Sequence, residues 1–103
     1  MDAITAIGLS GLNTASTRFR VSASNLVNAD DTASPPFVST KVAAVSLPQG
    51  GVRAQLSPAA PGTEVDPASE LVGQMQALQQ YRVSAALIAS NDRLQQSTID
   101  MLS

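Results

Sequence analysis

Histidine, cysteine and tryptophan are absent from the chain. Without them there is no Ser–His or Cys–His nucleophile pair, no disulfide and no Cys/His zinc site. Ser10, Ser22 and Ser24 have no base to activate them. The lack of cysteine suits any redox compartment and selects none. Positive charge is scarce too: one lysine and five arginines stand against eight acidic residues, for a net charge of −2. That is a poor basis for a nucleic-acid surface. Large apolar side chains are few, because sixteen of the forty-five hydrophobic residues are alanine. A compact core made from the rest is thin for a chain of 103 residues, a size at which single domains are already marginal. No run approaches the ~20 apolar residues of a membrane-spanning helix. Met1-Asp2-Ala3-Ile4-Thr5 lacks a basic region and a continuous apolar stretch, so no cleaved signal peptide is expected.

Proline is also missing from both ends, and this divides the chain into three parts. All six prolines lie between Pro35 and Pro67. In residues 1–29, small or apolar residues recur at Ile4, Gly8, Leu12, Ala15, Phe19, Ala23 and Leu26, the spacing of one helical stripe. Asp2 suits the positive end of the helix dipole, and Asn28 is a stop signal. Gly8 and Gly11 predict a loose first half, although such a pair also allows close approach of another helix in a crowded assembly. In residues 30–66, Phe37 to Leu47 reads as a strand and Val52 to Leu56 as its return, joined by a four-residue loop with Gly50-Gly51. Such a hairpin needs support, since two strands alone are not stable in water. Ser57 to Asp66 reads as a linker. Residues 67–103 open with Asp66 as N-cap and Pro67 as first helical residue, and contain no further proline. The expected fold is mainly α: two long terminal helices forming a hairpin or coiled-coil-like pair, with a short β-hairpin or irregular insert between them.

The last segment carries the clearest pattern. One apolar stripe runs Leu71, Met75, Leu78, Ala85, Ala89, and a second runs Val83, Leu87, Leu94, Met101, with Tyr81, Ile88, Ile99 and Leu102 beside them. Only five charges, Glu70, Arg82, Asp92, Arg93 and Asp100, fall between Pro67 and Ser103. A helix of a solitary soluble hairpin shows one apolar face and a charged back. This helix has more than one adhesive side, the pattern of a helix that meets neighbours all round.

Both ends resemble the bacterial flagellar basal-body rod protein family, the axial proteins of rod and hook. Ala23-Ser24-Asn25-Leu26-Val27-Asn28-Ala29-Asp30-Asp31-Thr32 is similar to the motif that ends the N-terminal helix in that family, with Val27 where alanine is usual. Ser10-Gly11-Leu12-Asn13-Thr14-Ala15 resembles its upstream stretch. Val65-Asp66-Pro67-Ala68-Ser69-Glu70-Leu71-Val72, then Gln79-Gln80-Tyr81, then Ile99-Asp100-Met101-Leu102 resemble the C-terminal helix. The short middle makes the chain most similar to a short proximal rod protein, although Ala33-Ser34-Pro35-Pro36-Phe37 stands where a Gly-aromatic pair is usual.

The resemblance implies a structural subunit of the rod, passed unfolded and uncleaved through the flagellar type III export apparatus. It implies a location in the periplasmic part of the basal body, and assembly with copies of itself and with other rod proteins. No cofactor, metal, nucleic acid or membrane insertion is implied. The assembly interface expected from resemblance and pattern together comprises Ile4, Ile7, Leu12, Phe19, Asn25, Leu26 and Asn28 in the first helix. In the second it comprises Leu71, Met75, Leu78, Tyr81, Leu87, Ile88, Leu94, Ile99 and Leu102. Simpler roles stand beside these: Asn25 and Asn28 as local helix terminators, and Tyr81 half-buried against the other helix. The competing function is a soluble helical-hairpin adaptor or chaperone presenting an apolar groove. An enzyme is disfavoured, because no cluster of tuned acids or bases is legible.

Overall fold

The computed structural model describes residues 2–29, 37–60 and 62–102. The end of the first motif, Asp30 to Thr32, and the stretch Ala33 to Pro36 lie outside the described residues. The chain order is α1 (Ala3–Val27), β1 (Thr40–Ser46), β2 (Val52–Pro58) and α2 (Pro67–Leu102). The two long helices joined through an antiparallel β-hairpin are the architecture expected from the sequence.

Capping chemistry sets the helix ends. Asp2 is the N-cap of α1, and its Oδ1 accepts the Thr5 N–H at 2.8 Å. Asn28 closes the helix by donating from Nδ2 to the Ser24 carbonyl at 2.9 Å, the local terminating role. At the start of α2, Asp66 accepts the Ala68 N–H at 3.1 Å and the Ser69 hydroxyl at 2.9 Å.

The hairpin differs in detail from its sequence pattern. β1 begins at Thr40 rather than Phe37, and β2 continues past Leu56 to Pro58, into the segment that reads as linker. Thr40 pairs with Pro58, and Ser46 with Val52. The Leu47 N–H donates to Gly51 O at 3.0 Å, and the Ala59 N–H to Ser39 O at 2.8 Å. These bonds place the closely bonded pairs at odd-numbered residues, so even-numbered residues turn their backbone groups outward. Pro58 is even-numbered, and its missing N–H costs the ladder nothing. The turn is tighter than the expected four-residue loop: it closes around Pro48-Gln49-Gly50, with the Gly50 N–H on Leu47 O at 3.0 Å. Gly50 and Gly51 sit at φ +95° and +87°, which residues with a Cβ rarely adopt.

The helices run antiparallel. Gly8 faces Ile88 and Gly11 faces Ser84. Arg18 donates from Nη1 to Gln80 Oε1, and Ser22 from Oγ to Glu70 O, each at 2.9 Å. On α1 the buried positions are Gly8, Gly11, Thr14, Ala15, Ser22 and Asn25, and on α2 they are Ala77 and Asn91. Glu70, Ala77, Ser84 and Asn91 recur every seven residues, the repeat of a coiled-coil seam. The residues are small and polar where leucine is usual. Only Gly8 and Ala15 of the stripe expected on α1 belong to the seam: Ile4 and Phe19 are exposed, and Leu12, Ala23 and Leu26 are half-buried. The cause is steric. A Cβ on Gly8 would lie 2.5 Å from Ile88 Cγ1, so the backbones are closer than a stripe of Leu and Phe permits. The two glycines are points of closest contact, and the loosening expected around them is countered by packing.

The hairpin packs on α1, about a quarter turn round from α2, and is held at both ends. Asn25 accepts the Thr40 N–H at 3.0 Å on Oδ1 and donates to Thr40 O at 2.9 Å from Nδ2. At the other end the Val52 N–H donates to Ser10 Oγ at 3.1 Å, and that hydroxyl donates to Ile7 O at 2.6 Å. Fifteen helical residues from Ser10 to Asn25 span about 22 Å. The six strand steps from Thr40 to Ser46 span about 20 Å. The hairpin is thus matched in length to the stretch of helix that carries it. Between α1 and the turn end of the hairpin lies an open cleft of about 340 Å³ bordered by Asn13, Thr17, Leu47 and Arg53.

Candidate functional site

Two polar clasps close the ends of the helix pair. At one end Asn25, only 3% exposed, joins three elements: besides its two bonds to Thr40 in β1, its Nδ2 donates to Glu70 Oε1 of α2 at 3.2 Å. A primary amide suits this place because it donates and accepts together. At the other end Asn91 Nδ2 donates to both Asp2 carboxylate oxygens at 3.1 Å, and Gln95 Nε2 donates to Asp2 Oδ2. The Thr5 N–H, then Gln95, Asn91 and the Thr5 hydroxyl, lower the Asp2 pKa from its ordinary 3.8 to about 2. No buried side-chain nitrogen or oxygen among the described residues lacks a partner. The interior is hydrogen-bonded rather than oily.

The apolar surface lies outside. Among the described residues the buried hydrophobic ones are Ala15, Ala59 and Ala77, all alanine. Ten of the sixteen expected interface residues are exposed: Ile4 and Phe19 on α1, and Leu71, Met75, Leu78, Tyr81, Leu87, Leu94, Ile99 and Leu102 on α2. Exposure reaches 70% at Met75 and 82% at Leu102. The other six are engaged within the chain. Ile88 lies in the seam against Gly8, and Ile7 lies against Gly50 at the hairpin tip. Leu12, Leu26 and Asn28 are half-buried, and Asn25 is the interior clasp. Asn25 therefore offers no side chain to a neighbour in this arrangement. Tyr81 is 45% exposed, and so lies on the outer surface.

The seam was the feature hardest to find in the residues. Its only sequence signal is the 3–4 alternation of small residues at Gly8, Gly11, Ala15, Ser22 and Asn25 and the sevenfold recurrence of Glu70, Ala77, Ser84 and Asn91. A search for apolar stripes takes in Gly8 and Ala15 but passes over Gly11, Ser22, Asn25 and the repeat on α2. Val72, Val83 and Met101 also lie outside and extend the surface expected from α2.

A groove of about 430 Å³ lies between the hairpin base and the start of α2, with Arg18, Lys41, Glu64 and Glu70 on its walls. The described residues hold no group of three acidic, histidine or cysteine side chains placed to share a metal ion. No described helix is long and apolar enough to cross a membrane. Compared with known proteins, the chain matches no family model, and no curated protein is significantly similar to it.

Proposed function

We propose that the chain is a structural subunit of the bacterial flagellar rod, polymerising through its terminal helices with copies of itself and with other rod proteins. One observation carries the reading: the two helices face each other with glycine, alanine, serine and asparagine, and turn leucine, methionine, valine and tyrosine outward. Large apolar side chains left exposed in this number along one helix mark a contact surface. Its spread around α2 suits a helix enclosed by several neighbours better than one presenting a single groove. The resemblance at Ala23 to Thr32 and at Val65 to Leu102 supplies the kind of assembly. Passage through the type III export apparatus requires an unfolded chain, and an interior whose buried hydrophobic residues, among those described, are alanines opposes unfolding only weakly.

The alternative, a soluble helical-hairpin adaptor or chaperone, draws support from the completeness of the polar clasps, which favour a folded free monomer. Mass spectrometry of salt- and detergent-washed basal bodies from the source organism separates the two. The rod reading expects this chain at near-stoichiometric levels with other rod proteins. Its absence from intact basal bodies, while abundant in the cell, sinks that reading and leaves the adaptor.

A further inference from the structure

The helix α2 is much longer than α1. The Asp2 clasp marks where α1 begins beside Asn91 and Gln95; α2 projects beyond it from Gln96 to Leu102, and every position from 92 to 102 is exposed. On this end of α2 Arg93, level with the clasp, and Asp100 stand seven residues apart on one face, and Leu94 and Met101 stand seven apart beside them, 67% and 83% exposed. Seven residues rise about 10 Å, so Arg93 and Asp100 do not meet on their own helix. Among the described residues Arg93 bonds only to Ser90 Oγ, at 3.4 Å, and Asp100 has no ion pair.

We propose that two copies of the chain pair antiparallel through this end of α2. Reversing one helix against the other inverts the order of charge. Arg93 then meets Asp100 of the second copy, and Asp100 meets Arg93 of the second copy, giving two equivalent ion pairs. The two-fold axis between them passes midway along the overlap, between Gln96 and Ser97. Parallel pairing instead sets Arg93 against Arg93. Leu94 and Met101 of each copy pack alongside the ion pairs. The two bodies extend in opposite directions from the overlap.

Three helical turns bury less than the ~800 Å² per partner of a stable complex, so the dimer is weak, with a dissociation constant of about 0.1–1 mM. A two-fold pair is closed and cannot extend into a one-way array. It is therefore a state of the free chain, one that covers this end of α2 before any end-to-end assembly, and it stands independently of the rod assignment.

The test is sedimentation equilibrium of the full chain from about 20 µM to about 1 mM at low salt, spanning the expected dissociation constant. A monomer–dimer equilibrium is expected, weakened by salt. Arg93→Glu weakens it at least about five-fold, and the combined Arg93→Glu and Asp100→Arg reversal restores it to within about two-fold. Ser97 lies next to the axis on the face of Arg93 and Asp100, and the chain has no cysteine of its own. Ser97→Cys, a change of little volume, therefore reports the two-fold directly by forming a disulfide-linked dimer under mild oxidation. A monomer throughout this range overturns the proposal. So does a dimer indifferent to Arg93→Glu, a double reversal that fails to restore it, or a Ser97→Cys chain that does not cross-link. None of these outcomes bears on whether the chain is found in basal bodies.

Discussion

Single side chains at the two clasps hold the ends of this molecule together. Replacing Asn25 by Asp keeps the acceptor for the Thr40 N–H but removes the Nδ2 donor, leaving a carboxylate oxygen facing Thr40 O and Glu70 Oε1. The expected loss is about 2–4 kcal/mol in chemical denaturation at neutral pH. Acidification recovers part of it, because a proton on the new carboxyl restores a donor. Equal stability of the two proteins at pH 7 would show that the clasp carries no weight. At the other end the depressed Asp2 pKa fixes a sign. The folded value is about 2 and the ordinary value is 3.8, so folding favours the ionised form. Its stabilisation is complete above about pH 4–5 and is lost as pH falls toward 2. Thermal melts of the chain and of Asp2→Asn should therefore converge at low pH and separate at neutral pH. A difference between the two that does not change with pH removes Asp2 as the titrating group.

At the scale of elements, the glycines of the two helices have opposite roles. A side chain on Gly8 meets Ile88, whereas Gly73 has open space around it. Gly8→Val should push the helices apart and cost about 1–3 kcal/mol. Gly73→Ala, in a helix interior with nothing to strike, should stabilise by about 0.5–1 kcal/mol. Melting temperatures of the two variants move in opposite directions if the seam is as close as described, and a stabilising Gly8→Val would contradict it. The hairpin follows the same logic. It is anchored at its two ends by Asn25 and Ser10 across a cleft, so its position on α1 depends on polar anchors rather than on buried hydrophobic area.

The whole molecule is a thin rod of 66 × 25 × 16 Å, with the large apolar side chains of α2, Ile88 apart, on the outside. This arrangement separates folding from assembly. Met75 is 70% exposed, so Met75→Glu should change monomer stability by no more than about 0.5 kcal/mol. Under the proposed function it should nonetheless reduce recovery of the chain in basal bodies. A large loss of monomer stability would show instead that Met75 packs within its own chain.

Much of this design was legible from residue order alone. Proline confined to the middle, Asp2 at the positive end of the first helix, capping by Asp66, the Gly50-Gly51 turn and the unusually apolar, charge-poor α2 determined two long helices around a β-hairpin, because each is a local preference of the backbone. The second helix could also be read as adhesive on several sides, because helical periodicity places side chains around its axis whatever it packs against. Which face turns inward was decided only in three dimensions. Periodicity cannot tell a stripe of Leu and Phe that packs from a stripe of Gly, Ala and Ser that lets two backbones touch, and here the small residues form the contact. The pairing of Asn25 with Glu70 and Thr40, and of Asp2 with Asn91, likewise needed the tertiary structure. These partners are apart in the chain, and it takes the docking of the hairpin on α1, for Thr40, and the antiparallel return of α2 along α1, for Glu70 and Asn91, to bring their hydrogen-bonding groups within reach.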